Sequence, residues 1–329
     1  MTIKLTILGL GQIGTSVGMA LNEHKDAILR VGHDKSRKAV NFAKEHDAVD
    51  KTALTLSGAV KNADIVLLAL PFQEIYPVLE FIAEDLKEDV LVLDTAPLKT
   101  PVIGWVKELL PEWIHYIGLL PTIKADYLDE YGHGSETAHE DLFEGNLMAV
   151  VTSHTANDKA INLAANFVEL LGATPYFADP LEIDGIMSMT DLMPQLLAAA
   201  MLDISQNAPG WREGRKFAGK AYSQMTNSFG KDEIPEALAA AITFNQENTN
   251  RLINDMIRRL VEIRDLEITP GQDELADSFQ KLQEGRDLWR EERQDSSWVD
   301  AKKSKIPPRE SFVSRFLGFR SLKPNREDK

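Results

Sequence analysis

The stretch of sequence that decides the fold runs from residue 3 to residue 14: Ile3-Lys-Leu-Thr-Ile-Leu-Gly-Leu-Gly-Gln-Ile-Gly14. A short apolar strand leads straight into a Gly-x-Gly-x-x-Gly motif, which is typical of the first turn of a dinucleotide-binding fold. We expect Gly9 to make the tight turn, Gly11 to let a pyrophosphate approach the backbone, and Gly14 to let the next helix pack against the strand. The sequence therefore predicts a bound dinucleotide.

The residues after the motif support this interpretation. The amides of Gln12 and Ile13 would face the phosphates, because a helix amino terminus carries free N–H groups and a partial positive charge. The next predicted strand, residues 27–34, ends in Asp34, 20 residues after Gly14. That is the usual spacing for a carboxylate that accepts from the adenosine ribose. A glycine turn that binds no nucleotide is the alternative.

The same carboxylate bears on the choice of cofactor. Asp34 favours NAD, because a carboxylate repels the 2′-phosphate of NADP. Lys35, Arg37 and Lys38 follow at once, and they would pair with that phosphate if Asp34 turned aside. The alternative for the three basic residues is a solvated first turn of a helix. The predicted cofactor is NAD(P), with NAD favoured.

Strands and helices continue to alternate along the first half. Apolar runs predict strands at 63–71, 90–94, 113–118, 146–152 and 174–178 and a helix at 158–171. They predict an α/β fold with a doubly wound parallel sheet of the Rossmann type over residues 1–180. Leu70, Pro71 and Thr95 lie at or just after strand ends and should border the cofactor. The polar residues 124–144 predict a long loop that would serve as a substrate lid.

From Leu181 onward only helices are predicted, in a second domain that spans residues 181–300. Residues 183–201 form a helix that is apolar on most sides, which predicts burial in a core or between subunits, with a kink at Pro194. Further helices are predicted at 233–243, 246–264 and 273–293. We expect a homodimer formed through this domain.

The last segment, residues 301–329, is a basic arm. It contains nine Lys or Arg and three Asp or Glu, a balance of 9 − 3 = +6. We expect the arm to dock on the acidic body of its own chain or on a sister subunit. A helix that binds a membrane surface or another partner is the alternative.

The overall composition limits the classes of function. The 329 residues carry a formal net charge of −15, which argues against a nucleic-acid partner, because such a protein needs a basic face. The chain has no cysteine and no pair of histidines at ligand spacing, so no metal site is predicted. No apolar run approaches the roughly 18 residues of a membrane span. A strand begins two residues after Met1, which leaves no room for a signal peptide, and we expect a cytoplasmic protein.

The chain resembles the prephenate and arogenate dehydrogenases of tyrosine biosynthesis. The resemblance runs from about Ile3 to Leu266. It depends on Gly9-Leu-Gly-Gln-Ile-Gly14, Ala63-Asp-Ile-Val-Leu-Leu-Ala-Leu-Pro71, Asp94-Thr-Ala-Pro-Leu-Lys99, Gly118-Leu-Leu-Pro121, Asp141-Leu-Phe-Glu-Gly145 and Leu192-Met-Pro-Gln-Leu-Leu-Ala198. It implies a Rossmann domain with a helical second domain, NAD(P) as cofactor, and hydride transfer between nicotinamide and a small carboxylated metabolite, such as a cyclohexadienyl one.

The same resemblance implies that the catalytic residues have changed. The family takes the substrate's hydroxyl proton on a histidine in a Gly-x-His-Pro segment, where this chain has Leu120. The supporting serine aligns with Pro97, the His-x-Pro-His pattern with residues 192–195, and the arginine that holds a substrate carboxylate with Asn227. All seven histidines lie at or before residue 154. Because a positioned acid–base group contributes roughly 10²- to 10⁴-fold in rate, we expect poor turnover of prephenate and a changed substrate.

Four residues are candidates for catalysis. Lys99 follows the strand that ends at Asp94 and would polarise a substrate oxygen or hold a carboxylate; a surface lysine in a turn is the alternative. Thr122 and Lys124 replace the usual loop of the family, and Lys124 would act as the acid–base group. Asp191 lies among apolar residues of a helix, where a carboxylate is either functional or paired.

The sequence thus leads to two hypotheses. The first is an NAD(P)-dependent dehydrogenase that acts on a small carboxylated metabolite. The second is a catalytically inactive NAD(P)-binding protein that serves as a sensor or as a partner subunit. The intact glycine motif fits both, while the missing histidine and arginine favour the second hypothesis or a changed substrate.

Overall fold

A twisted sheet forms the centre of the first half of the chain. The computed structural model describes residues 2–152, 156–230, 234–268 and 272–296. Within these residues the strands are β1 Ile3–Leu8, β2 Ile28–His33, β3 Lys51–Thr52, β4 Ile65–Leu68, β5 Leu91–Asp94, β6 His115–Pro121, β7 Leu147–Thr152 and β8 Thr174–Ala178. Their order is β3-β2-β1-β4-β5-β6-β7-β8. All neighbours are parallel except β6 and β7, which run antiparallel.

Helices cover both faces of this sheet, as in doubly wound folds. They are α1 Gln12–Ala20, α2 Arg37–Glu45, α3 Leu56–Val60, α4 Phe72–Ile82, α5 Thr100–Leu109 and α6 Asp158–Leu170. Along β4 the side chains alternate between two buried clusters. Leu67 belongs to the cluster that contains Phe167 of α6, and Leu68 belongs to the cluster that contains Phe72 and Trp105 of α4 and α5. The sheet is therefore apolar on both faces, and the predicted fold class is confirmed.

Two strand predictions need correction. The two-residue strand β3 was not predicted, because a pair of residues carries no periodic signal. The strand predicted at 113–118 begins at His115 and continues to Pro121, because its second half pairs with β7 through residues such as Leu120 and Ala149. That pairing partner comes much later in the sequence, so the local pattern could not indicate where β6 ends.

The second half of the described chain is helical. Its helices are α7 Pro180–Met187, α8 Met193–Gln206, α9 Trp211–Gly214, α10 Lys220–Thr226, α11 Pro235–Phe244, α12 Gln246–Ile268 and α13 Gln272–Asp295. Instead of a simple kink at Pro194, a π-helical turn at Ser188–Leu192 joins α7 to α8. Such turns occur often at functional sites. The basic arm predicted at 301–329 lies outside the described residues.

Polar contacts join the helical part to the sheet. Asp184 of α7 accepts from the backbone amides of Lys99 (2.6 Å) and Thr100 (3.1 Å) at the start of α5. Asn245 donates to the carbonyl of Asp184 (3.0 Å) and to the hydroxyl of Ser188 (2.5 Å). These bonds fix α7 and the π-helical turn against the carboxyl edge of the sheet.

The continuous helical stretch from residue 180 to 206 is long and apolar enough to cross a membrane by length and composition alone. Glu182, Asp184, Asp191 and Asp203 interrupt it, so it contains no unbroken apolar run of about 18 residues. Within the single chain it is also less buried than expected. Leu192 and Ala198 are buried, but Met201 and Ile204 are exposed. A single helix of this kind does not by itself indicate a membrane span, and Asp184 near its start is bonded to the first residues of α5.

Candidate cofactor and substrate cleft

A cleft of about 830 Å³ opens at the carboxyl edge of the sheet, where ligands bind in folds of this type. Its walls come from the β1–α1 turn, the ends of β2, β4 and β6, the π-helical turn, and α11. Of the predicted cofactor residues, nine line it: Gly9, Gly11, Gln12, Ile13, Asp34, Lys35, Leu70, Pro71 and Thr95. Gly14 and Arg37 are not among its lining residues.

The glycine motif has the backbone that the motif predicts. Gly9 has φ +93°, and a Cβ there would lie 2.1 Å from the carbonyl oxygen of Ala69. A Cβ on Gly14 would lie 1.9 Å from the carbonyl oxygen of Gly9. Gly14 therefore packs the helix against the turn, as expected, although it does not line the cleft. Only glycine fits these two positions.

Asp34 is held in place at the end of β2. One of its carboxylate oxygens accepts from the amide of Leu10 (2.7 Å) and the other from the amide of Ser36 (2.6 Å). Each oxygen can accept a further bond, and the side chain lines the cleft. The carboxylate is therefore oriented for the hydroxyls of an adenosine ribose.

The loop predicted as a substrate lid lies over the glycine motif. The carbonyl of His133 accepts from the amide of Gln12 (2.9 Å), and the carbonyl of Thr137 accepts from the side chain of Gln12 (3.0 Å). The amide of His139 donates to the hydroxyl of Ser16 (3.0 Å). These bonds tie the loop to α1 at the cofactor end of the cleft, and its role as a lid stays a prediction.

The residues of the cleft fit a dinucleotide. A Cβ built on Gly11 would meet only the carbonyl of His133, at 3.0 Å, so a pyrophosphate could approach the backbone there once that loop moved. A phosphate oxygen could then take the place of the His133 carbonyl on the amide of Gln12. The apolar side chains of Leu56, Phe72 and Val78 also line the cleft and suit an adenine ring.

Lys99 lies outside this cleft. Its side chain is fully buried and its Nζ is 2.9 Å from Oδ1 of Asp94, whose side chain is also fully buried. The hydroxyl of Tyr116 donates to the other oxygen of Asp94 (2.5 Å). Burial lowers the pKa of Lys99, and the charge of Asp94 opposes that shift. The geometry is that of a structural ion pair and gives no access to a substrate.

Thr122 and Lys124 also fall outside the residues that line the cleft. Thr122 donates its hydroxyl to the carbonyl of Leu147 (2.5 Å), and Lys124 Nζ lies 2.5 Å from Oδ2 of Asp141. The hydrogen bond to Asp141 raises the pKa of Lys124. Ile123, between them, does line the cleft. Both candidates thus have bonding partners of their own beside the cleft.

Asp191 is the predicted catalytic residue that the structure brings into the cleft. It sits in the π-helical turn, is partly buried rather than fully buried, and accepts from the side-chain amide of Gln195 (3.3 Å). Pro97 and Leu120, which stand at the positions of the family's serine and histidine, line the same end of the cleft. Among the described residues, no group of three or more His, Asp or Glu could hold a metal ion.

Several residues of the cleft were not predicted as site residues, and the polar ones among them include His33, Glu74 and Gln195. Glu74 lies in the first turn of α4, after a strand end, and that position could have identified it. Gln195 lies four residues after Asp191 on a helical stretch, which is a spacing that brings side chains together. His133 belongs to the loop predicted at 124–144 and also lines the cleft, but its exact position depends on contacts of that loop with distant residues.

The fold and the cleft at the glycine motif define a protein of the dinucleotide-binding class. Residues 17–176 match the family model for the nucleotide-binding domain of prephenate dehydrogenase. Prephenate dehydrogenase of Bacillus subtilis is 23% identical over 268 residues, which cover 80% of this chain and 70% of that protein. The chain is related to the prephenate and arogenate dehydrogenases, as its motifs predict.

Solved structures agree on the fold. Prephenate dehydrogenase from Aquifex aeolicus, solved with hydroxyphenyl propionate and NAD⁺, superposes with a TM-score of 0.74 at 18% identity, over 87% of this chain and 98% of that one. Arogenate dehydrogenase of Synechocystis gives a TM-score of 0.66 at 22% identity, over 87% and 100% of the two chains. The predictions of a Rossmann fold and of a cofactor of the NAD(P) class are confirmed.

Proposed function

We propose that the chain is an NAD-dependent dehydrogenase of a small metabolite whose substrate differs from prephenate. The observation that carries this proposal is a single cleft with two ends. Gly11 and Asp34 line one end, and Asp191 and Gln195 line the other. A dinucleotide held by the first end would direct its nicotinamide towards the second. The names of the related proteins support the reaction class.

The chain's own residues have separate roles in this reaction. NAD⁺, when bound, accepts the hydride from a substrate carbon. The carboxylate of Asp191 would take the hydroxyl proton during oxidation and return it during reduction. Gln195 would orient that carboxylate through its 3.3 Å hydrogen bond. Leu120 and Leu192, which line the same end, would exclude water from the reacting atoms.

The lining of the cleft also bears on the substrate. Apart from Lys35 at the adenosine end, no lysine or arginine occurs among the described residues that line it. A substrate with two carboxylates would find no cation from these residues and would face Asp191. We therefore propose a substrate with an apolar body, at least one hydroxyl or carbonyl group, and no more than one carboxylate.

Replacement of Asp191 tests the proposal. We expect Asp191→Asn to lower kcat roughly 100-fold while the affinity for NADH, read from its fluorescence, stays unchanged. Asp203→Asn is the matched control, because Asp203 lies on the same helical stretch, is exposed, and does not line the cleft. Prephenate, arogenate and monocarboxylic hydroxy acids would be offered in turn, with nicotinamide absorbance as the readout. Full turnover in Asp191→Asn together with loss in Lys124→Ala would transfer the acid–base role to Lys124.

One observation favours a second candidate function, an NAD-binding sensor or partner subunit without catalysis. Of the four predicted catalytic residues, only Asp191 lines the cleft in the part of the chain that the structure describes, so three of the expected groups are not placed there. NADH binding without turnover of any substrate in the panel would support this candidate.

Two other predictions from the sequence remain proposals. A homodimer through the helical part is supported by exposed apolar side chains on α8 and α12, which include Met201, Ile204, Ile257 and Leu260. Sedimentation of the purified chain would measure its state. The cytoplasmic location stays a prediction.

A further inference from the structure

We infer that Glu74 is a specificity residue that makes the chain prefer NAD over NADP by occupying Lys35. The inference rests on the proposed function and deepens it, because it concerns the same cofactor end of the cleft. Its starting point is an ion pair that joins two crossover connections of the sheet. Lys35 Nζ contacts Oε1 of Glu74, and both residues line the cleft together with Asp34.

The position of Glu74 follows from the fold. β2 and β4 flank β1 in the sheet, so the segments after their carboxyl ends stand on either side of the β1–α1 turn. Asp34 and Lys35 follow β2, and Glu74 lies in the first turn of α4, which follows β4. The Lys35–Glu74 pair therefore spans the side of the cleft where Asp34 is placed to meet the adenosine ribose.

The charges around this position disfavour a 2′-phosphate. Asp34, Lys35 and Glu74 together carry a net charge of about −1 at neutral pH. A phosphate on the ribose would meet two carboxylates and would have to displace Glu74 to reach Lys35. Displacement would then leave Glu74 without its cation, close to a group with a charge of about −2. An unphosphorylated ribose causes no such conflict.

The second lysine of this turn is also engaged. Lys38 Nζ lies 3.5 Å from Oε2 of Glu136, which belongs to the loop over the glycine motif. Arg37, the remaining basic residue, does not line the cleft. The two lysines that the sequence offers to a 2′-phosphate thus each contact a carboxylate from a distant part of the chain, while about three-quarters of each lysine side chain stays exposed (76% and 78%).

The inference is tested by titrating the full chain with NADH and with NADPH in the absence of substrate. The fluorescence of the reduced nicotinamide reports binding. Glu74→Gln keeps the shape of the side chain and removes its charge. We expect this variant to bind NADPH roughly tenfold more tightly than the wild type, with less than a twofold change for NADH. In Glu74→Gln/Lys35→Ala the gain should disappear, because the released ammonium is what binds the phosphate.

Glu80→Gln is the matched control. Glu80 lies on the same helix, is exposed, and does not line the cleft, so this variant should leave both affinities unchanged. The inference is overturned if the wild type prefers NADPH, if Glu74→Gln leaves the ratio of the two affinities unchanged, or if Glu80→Gln shifts it equally.

The two proposals can fail separately. Binding of NADH with the expected effect of Glu74→Gln, but no turnover of any substrate, would refute the dehydrogenase and leave this inference standing. Turnover with an unchanged affinity ratio would refute only the role of Glu74. A wild type that binds neither nucleotide would overturn both.

Discussion

Replacement of Asp94 by asparagine would leave the ammonium of Lys99 buried without its counter-charge. The two groups lie 2.9 Å apart and both side chains are fully buried. At that distance an effective dielectric constant of about 20 gives an attraction of about 6 kcal/mol, and removal of one partner from a buried pair typically costs about 3–5 kcal/mol. We therefore expect Asp94→Asn to lower the free energy of unfolding by about 3–5 kcal/mol at pH 7.

The loss should depend on pH in a defined direction. Burial already lowers the pKa of Lys99 below its ordinary value of 10.5, and removal of the Asp94 charge would lower it further. The unfolded chain then binds more protons than the folded chain, so the stability of the variant rises as pH increases through the folded pKa towards 10.5. The deficit relative to wild type should therefore be smaller at pH 10 than at pH 7.

Urea unfolding at both pH values, followed by tryptophan fluorescence, measures this effect. Asp94→Asn/Lys99→Met is the control, because replacement of both charged partners by neutral ones should recover most of the lost stability. A deficit below about 1 kcal/mol, or a deficit that is equal at pH 7 and pH 10, would refute the reasoning. Wild-type turnover in the double variant would also show that Lys99 has no direct catalytic role.

Two further predictions concern the glycine motif and the loop over it. Gly14→Ala should lower the free energy of unfolding by about 3 kcal/mol or more, because its Cβ would lie 1.9 Å from a backbone oxygen. Gly104→Ala, with open space around its Cβ, should raise the free energy of unfolding by about 0.5–1 kcal/mol. Thermal unfolding compares the two variants, and equal effects would contradict the geometry. The hydrogen bond to Asp141 raises the pKa of Tyr127 to about 12. The stability that this hydrogen bond contributes should therefore be lost as pH rises from about 10 to about 12. In Asp141→Asn, ultraviolet absorbance should detect one more tyrosine that ionises below about pH 11.

Local sequence was enough to predict the cofactor end of the cleft. The positive φ of Gly9 and the close contact of Gly14 with Gly9 arise within one turn, so a short motif specifies them, although a Cβ on Gly9 would also meet Ala69 of a neighbouring strand. Asp34 could be placed by its spacing, because a helix and a strand of ordinary length separate it from the motif. The strands that carry Leu70 and Thr95 are continuous apolar runs, which are typical of strands buried on both faces.

The catalytic end was harder to predict for a physical reason. A lysine in a turn after a strand has the same local sequence whether it faces a substrate or a buried partner. Lys99 forms a buried ion pair and does not face a substrate. Its backbone amide donates to Asp184, 85 residues away, and neighbouring strands cover its ammonium group. Asp191 lines the cleft because a π-helical turn changes the direction in which the side chains of that helix point. The periodicity of a sequence could not predict this, because it assumes a constant angle per residue.

The sequence by itself determined the Rossmann sheet, the dinucleotide class of the cofactor and the relationship to prephenate and arogenate dehydrogenases, because each depends on motifs in contiguous segments. Only the tertiary structure decided which charged groups face the cleft. The Lys35–Glu74 pair joins residues 39 positions apart, and the bond from Gln12 to Thr137 joins residues 125 apart. Contacts between such distant segments depend on how the strands are ordered in the sheet, and a local sequence pattern does not specify that order.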